Sequence, residues 1–234
     1  MGIVNHRARS LCAATLTLLV CSRAVHAQAC FGTPSHGGIS YDRGAAFAGY
    51  SNGATATVAG QHVAFSVGGR VLEKVPASTT QSGDARFSLQ FGASRVSVCP
   101  GLGVGYRHSV WDAPANRGVD FNVTTHAVAA RAGVSVGIEQ PVYGGASIIP
   151  FVGARYAFRL YYLDTKATSG AVSASGDTTS SAEIEYGLTV RYSLVYLGWS
   201  ALHDTAWPGT RPIASRVFIG VTWGSGSRKE AAGS

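Results

Sequence analysis

The sequence has 234 residues, of which 13% are charged and 46% are hydrophobic, and 30 are glycine. Its formal net charge is +7, but the basic residues are scattered and form no dense run of the kind that binds nucleic acid. A soluble domain usually carries about twice this share of charged residues, so the composition argues against that class and favours many strands and turns.

The first 27 residues have the pattern of an export signal. Arg7 and Arg9 precede an apolar run from Leu11 to Cys21, which matches the charged and hydrophobic regions of a cleavable signal peptide. The run is too short for a membrane-spanning helix, which needs roughly 20 residues. We expect cleavage after residue 27, which leaves sixteen basic and twelve acidic residues, a net charge of +4. Residues 28–36 would then form a short lead on the periplasmic side.

Only two cysteines remain beyond the predicted signal. These are Cys30 and Cys99, and two cysteines in an exported protein predict one disulfide, because the periplasm is oxidising. Two thiols without a histidine at ligand spacing are too few for a zinc site. We therefore expect a disulfide and no metal or other cofactor.

The most informative pattern downstream is an alternation of apolar and small or polar residues with a period of two, which is typical of β-strands. Ile149 and Phe151 are exceptions within one segment. The eight segments that show the pattern are His62–Leu72, Arg86–Arg95, Val98–Tyr106, His126–Ile138, Ile148–Leu163, Ala182–Tyr192, Val195–His203 and Arg216–Trp223.

A fainter stretch precedes these segments. Gly37–Gly60 contains Ser51-Asn52-Gly53, a hairpin-type turn that would join two further strands. The sequence therefore favours ten strands, with eight as the alternative. The predicted fold is an all-β, closed, antiparallel up-and-down barrel over residues 37–225, followed by a polar tail over 226–234.

The composition of the two strand faces indicates a membrane barrel. One face is mostly glycine, alanine and serine with scattered arginine and glutamate, as expected for a crowded lumen, and the other is large and apolar, as expected for a lipid contact. No stretch is long enough for a helical span. Aromatic residues near strand ends fit interfacial girdles; they are Tyr106, Tyr156, Tyr162, Tyr192, Trp199 and Trp223.

The connections alternate between long and short, as external loops and periplasmic turns do in outer-membrane barrels. This alternation places both termini in the periplasm. The expected long loops are Lys74–Ala85, Val110–Thr125, Asp164–Ser181 and His203–Ser215; the short ones are Arg95–Val96 and Ser193-Leu194, with Glu139–Ser147 intermediate.

These features resemble the small outer-membrane β-barrel domain proteins of bacteria. The resemblance is carried by the alternating segments, the closing strand Val217–Trp223, Cys30 and Val98-Cys99-Pro100. The closing strand is similar to the signal that such barrels present to their insertion machinery, although Gly224–Ser234 follow its aromatic residue here. The resemblance implies an outer-membrane location, with membrane lipid and the insertion machinery as partners.

Charged residues on the small-residue face would point into the lumen, where they must be paired or hydrated. We predict an ion-pair network in which Arg159 pairs with Glu183 or Glu185; an anion-preferring passage is the alternative. The predicted lumen charges are Arg70, Arg107, Arg131, Arg155, Arg159, Arg191, Glu183 and Glu185.

For function, the sequence favours a non-enzymatic barrel with an envelope-structural or surface-interaction role, its surface ligand being undetermined by the sequence. A narrow channel for small anionic or neutral solutes is the second hypothesis. A lipid-modifying enzyme is the third, and would need His126 or His203 to meet Ser200 and Asp204 at one rim; no nucleophile motif supports it.

Overall fold

The computed structural model describes residue 30 and residues 37–46, 49–60, 62–74, 78–93, 95–113, 121–167, 172–205 and 214–223. The predicted signal segment and the polar tail lie outside these residues, as does the predicted lead apart from Cys30. No helix in the described part of the chain has the length and apolar character that crossing a membrane would require.

Ten long strands form one antiparallel sheet in which each strand pairs with its neighbours in the sequence. They are β1 (Gly37–Ala46), β2 (Gly49–Ala59), β3 (Val63–Lys74), β4 (Ser78–Leu89), β5 (Val96–Ala113), β6 (Phe121–Ile138), β7 (Ala146–Ala167), β8 (Val172–Tyr192), β9 (Val195–Asp204) and β10 (Ala214–Thr222). β1 also pairs with β10, so the sheet closes into a barrel and no strand edge is left along its wall. The prediction of a closed ten-stranded barrel is confirmed.

Two ends of the barrel can be distinguished. The terminal end holds Gly37, Thr222 and four connections, which include the segments Phe91–Ala93 and Gln140–Pro141 and a 3₁₀ turn at Tyr143–Gly145. The hairpin end holds the five other connections. The predicted alternation of long and short connections is wrong in part, because residues 47–48 and 75–77 suffice to join strands at the hairpin end, whereas residues 139–145 join β6 and β7 at the terminal end.

The predicted turn at Ser51-Asn52-Gly53 is wrong. These residues lie inside β2, where Gly53 pairs with Asp42 of β1 and with Arg70 of β3. The connection between β1 and β2 falls at residues 47–48, outside the described part. Gly53 faces the interior of the barrel and leaves room for two charged side chains, because a Cβ atom there would lie 2.8 Å from both the Arg70 and the Asp42 side chains.

Three predicted long loops are largely strand. β7 and β8 stay paired up to Lys166 and Val172, and β6 pairs with β7 up to Ala167. Serine and threonine replace the apolar residues there, yet the backbone ladder continues, because backbone hydrogen bonds can hold two antiparallel strands together without an apolar face. The loss of alternation therefore marks the end of the apolar band and not the end of the strands.

The four central strands extend beyond the others. β5 to β8 contain 18, 18, 22 and 21 residues, whereas a tilted strand crosses a bilayer with about 9–11. Residues 109–113, 121–125, 163–167 and 172–181 form what we call the hairpin sheet. On the β9 side, β8 is paired only from Glu183 onwards, so no described residue pairs with the outer edge of residues 172–181.

Candidate functional site: the barrel lumen and the rim of the hairpin end

The lumen is filled by large side chains in the half nearest the terminal end. Ile149 and Phe151 of β7, Tyr196 of β9 and Phe218 of β10 point inward and are at most 7% exposed. We call these four residues the floor. Ile149 and Phe151, the two exceptions in the sequence pattern, keep the alternation of the strand, and they are inward residues that happen to be large. A lumen packed at this level leaves no wide aqueous path.

Three floor residues each lie directly across from a glycine on the adjacent strand. Gly187 pairs with Phe151, Gly198 with Phe218, and Gly220 with Tyr196. A Cβ atom at Gly187 would lie 2.7 Å from the Phe151 ring, and Cβ atoms at the other two would also meet the opposing rings. The glycines thus provide the volume that the aromatic rings occupy.

A disulfide lies beside the floor. Cys30 and Cys99 are bonded, with their Cα atoms 5.9 Å apart, and both residues are buried. Cys99 lies near the start of β5, close to the terminal end of the barrel. The bond therefore attaches Cys30 to the inside of the barrel wall.

Above the floor, Glu183 of β8 is the centre of a ring of ion pairs that we call the belt. Its carboxylate accepts hydrogen bonds from Arg155 and Arg159 of β7, and the Arg131 guanidinium on β6 lies 3.3 Å away. Glu183 is only 2% exposed. Three cations around one buried carboxylate compensate for its loss of hydration.

The belt continues on both sides of Glu183. Glu185 accepts a bond of 2.7 Å from Arg216 of β10 and lies 3.3 Å from Arg155. Arg159 also donates to Asp204 of β9 at 2.6 Å and to the Ser181 hydroxyl at 2.6 Å. The belt therefore ties β6, β7, β8, β9 and β10 together across the lumen.

Two further ion pairs lie apart from the belt. Arg70 of β3 pairs with Asp42 of β1 at 2.9 Å. Arg191, near the end of β8, pairs with Glu139 in the connection between β6 and β7. The first pair joins strands on the other side of the barrel from the belt, and the second lies near its terminal end.

Of the eight predicted lumen charges, only Arg107 has no ion pair or hydrogen bond within the described residues. Its side chain is exposed even though it has inward parity, so the lumen at its level is wide enough to hold water. Four partners of these charges are not predicted from the sequence; they are Asp42, Glu139, Asp204 and Arg216. The alternation of each strand does place Asp42, Asp204 and Arg216 on the inner face. The pattern of one strand does not show, however, which residues of other strands lie across the lumen from them.

The outer surface is apolar over the height of the floor and belt. Large residues of every strand face outward and remain about half exposed, with Leu102 at 64% and Ile219 at 52%. A continuous band of this kind is unfavourable in water and is normal where a barrel contacts lipid.

Towards the hairpin end the band gives way to tyrosine and histidine. The Tyr106 hydroxyl is 2.7 Å from Nδ1 of His126, which lies 3.4 Å from Nδ1 of His108. On another part of the wall the His203 ring stacks on Tyr186, with ring centroids 5.8 Å apart. These amphipathic rings form a rim where the apolar surface ends.

No protein-family model matches the sequence, and no curated protein matches it. Among solved structures, the translocator domain of the autotransporter NalP from Neisseria meningitidis superposes with a TM-score of 0.52 at 13% identity, covering 79% of this chain and 86% of that one. The protein has the fold of an outer-membrane β-barrel.

Two other barrels superpose less closely on this structure. A major outer membrane protein from Thermus thermophilus has 12% identity and a TM-score of 0.38, covering 79% of this chain and 98% of that one. Ail, the attachment invasion locus protein of Yersinia pestis, has 9% identity and a TM-score of 0.27, with 79% and 95% covered.

The candidate catalytic residues do not converge in this barrel. Ser200 and Asp204 point into the lumen, where they bind Arg216 and Arg159, whereas His126 and His203 contact tyrosines of the outer rim. The barrel wall thus separates the histidines from the serine and the acid. Within the described residues, no group of three or more His, Cys, Asp or Glu is arranged to hold a metal ion.

Proposed function

We propose that the protein is a closed, non-conducting barrel of the bacterial outer membrane that acts through its hairpin sheet at the cell surface. The terminal end would face the periplasm, since short turns and both termini lie there in such barrels. The filled lumen carries this proposal. The floor and the belt lie one above the other, so an ion would have to displace packed aromatic rings and break buried ion pairs to pass.

Conductance in a planar lipid bilayer tests the closed lumen. The wild-type protein should show no steady current, and Phe151→Ala combined with Phe218→Ala should raise the frequency of brief openings. The matched control is Val152→Ala, because Val152 follows Phe151 in β7 but faces outward. A steady wild-type current would contradict the proposal.

The second candidate, a narrow anion channel, is favoured by one observation, the exposed and unpaired guanidinium of Arg107 among the described residues. The same recordings separate the two functions. A steady anion-selective conductance that Arg131→Ala or Arg107→Gln abolishes would establish the channel. We favour the closed barrel because the floor lies between Arg107 and the terminal end.

The surface role is supported by the outer edge of residues 172–181 of β8, which we call the free edge because no described residue pairs with it. An unpaired strand edge can accept an extended segment of another protein by adding a strand. The backbone N–H and C=O of Ala182 face the β9 side, where they bond to Thr205. Even-numbered residues of β8 therefore direct their N–H groups to the free edge.

Ser180→Pro tests this role. It removes an N–H from the free edge and leaves the ladder with β7 intact, because the ladder at this end of β8 uses the odd-numbered N–H groups. Cells that display the variant should lose clumping and adherence to a cultured epithelial layer, while the heat-modifiable gel mobility stays normal. Ser180→Ala is the control. If the proline variant adhered as well as the wild type, the free edge would not be the part of the protein that mediates adherence.

A further inference from the structure

The rim of the hairpin end contains a histidine pair that neither the lumen nor the hairpin sheet uses. His108 of β5 and His126 of β6 are directly opposite each other in the strand register. Both rings lie on the outer face, with centroids 4.8 Å apart. Backbone hydrogen bonds on both strands fix this pairing, so the two rings stay together without a contact from any loop.

The separation of the two ring nitrogens is informative. The two Nδ1 atoms are 3.4 Å apart. Imidazole nitrogens bind Zn²⁺ at about 2.0–2.1 Å, and two ligands in a tetrahedral shell at that distance lie about 3.3 Å from each other. A single ion could therefore be bound by both rings with little movement of either.

A third donor lies within reach. The Tyr106 hydroxyl is 2.7 Å from Nδ1 of His126, and Tyr162 of β7 is the register partner of His126 on its other side. The His108 and His126 side chains are only partly buried, so water can complete the coordination shell. The donors are neutral imidazole and phenol, which suit Zn²⁺, Cu²⁺ or Ni²⁺ and not the hard cations Ca²⁺ and Mg²⁺.

We propose that His108 and His126, with Tyr106 beside them, form a binding site for one divalent transition-metal ion on the outer rim of the barrel. Cu²⁺ binds most tightly of this series, followed by Zn²⁺ or Ni²⁺. The site is independent of the closed lumen and of the free edge, because its residues belong to neither.

Titration calorimetry of the folded, full-length barrel in detergent micelles tests the site, with CuCl₂ and ZnCl₂ as probes. We expect one ion per chain, at least a tenfold loss of affinity in His108→Ala and in His126→Ala, and a smaller loss in Tyr106→Phe. The matched control is His203→Ala, which removes another outward histidine that also contacts a tyrosine and should leave the affinity unchanged.

A spectroscopic measurement makes the result decisive. The Cu²⁺ electron paramagnetic resonance spectrum of the wild type should show two equatorial nitrogens, and that of either alanine variant at most one. Heat-modifiable mobility checks that each variant is folded, and His108→Gln replaces an alanine variant that is not. Equal Cu²⁺ affinity in the wild type and a folded His108 variant, or loss of binding in His203→Ala, would overturn the proposal and leave the pair as a hydrogen-bonded contact.

Discussion

The floor and the belt fill the same lumen in two different ways. The floor places an aromatic ring opposite a glycine at three positions, and the Tyr196 and Phe218 rings also contact each other edge to face. The belt arranges four arginines around Glu183 and Glu185, and most of its members have two or more partners. Side-chain volume therefore determines which residues fit in the floor, and charge determines which residues pair in the belt. A substitution in the floor should disturb only the neighbouring rings, whereas a substitution in the belt should weaken ion pairs on several strands.

The largest effect should follow Glu183→Gln. Three arginines would lose their common carboxylate in a site closed to bulk water, and breaking a buried ion pair costs about 3–5 kcal/mol. Urea unfolding of the barrel, followed by gel mobility, measures the loss. Asp177→Asn, at an exposed acid of the same strand, should stay within about 0.5 kcal/mol. If Glu183→Gln and Asp177→Asn lowered the free energy of unfolding equally, the belt charges would be hydrated and would not depend on one another.

Replacing both cysteines by serine tests how much the disulfide contributes to the free energy of unfolding of the barrel. The bonded residues are 69 positions apart, and a bond that closes a loop of this length stabilises a protein by about 2–4 kcal/mol. The double variant should unfold at lower urea concentration. Reductant should lower the midpoint of the wild type and have no effect on the variant. If the reductant does not change the urea midpoint of the wild type, the bond adds no stability.

The sequence predicted the barrel because the period of two is clear in eight of the ten strands, whatever the size of the inward residue, and fades only in β1, β2 and the hairpin sheet. Even Ile149 and Phe151 obey it once the lumen is allowed to contain large side chains. The turn at residues 51–53 was wrong because the same small residues that suit a tight turn also suit a crowded lumen. Local sequence alone does not separate these two uses of Gly53.

The belt could be predicted only in part, and the reason is geometric. Parity assigns each arginine to the inner face, and the β7–β8 hairpin brings Arg159 near Glu183. Contacts that cross other strands, such as Arg159 with Asp204, depend on the stagger of the strands around the barrel. That stagger is a property of the closed sheet, so no single segment contains it. The pattern of a single strand likewise does not show that His108 and His126 lie opposite each other, because that depends on the register of β5 against β6.

Gly187→Ala tests the floor by volume. The new Cβ atom would meet the Phe151 ring at 2.7 Å and the Trp199 carbonyl closer still, and overpacking of this kind costs about 1–3 kcal/mol. Gly176→Ala in the same strand is the control, since its nearest neighbour would be 3.6 Å away. Similar unfolding midpoints for the two variants would argue against a tightly packed floor.

The smallest effect should follow Arg107→Gln. Arg107 is exposed and has no ion pair in the described part of the chain, so its loss should change stability by less than about 0.5 kcal/mol. Arg155→Gln, which removes a belt arginine with two carboxylate partners, should cost several times more in the same urea series. If Arg107→Gln and Arg155→Gln lowered the free energy of unfolding by similar amounts, Arg107 would have to be a member of the belt.

The glycine–aromatic pairs also constrain how this protein can diverge. A larger residue at position 187, 198 or 220 would meet the ring across from it and also a backbone carbonyl, which belongs to Trp199, Leu188 and Ile39 respectively. A smaller ring would relieve only the first of these contacts. In related sequences we therefore expect glycine at all three positions, while residues 151, 196 and 218 can exchange one large side chain for another.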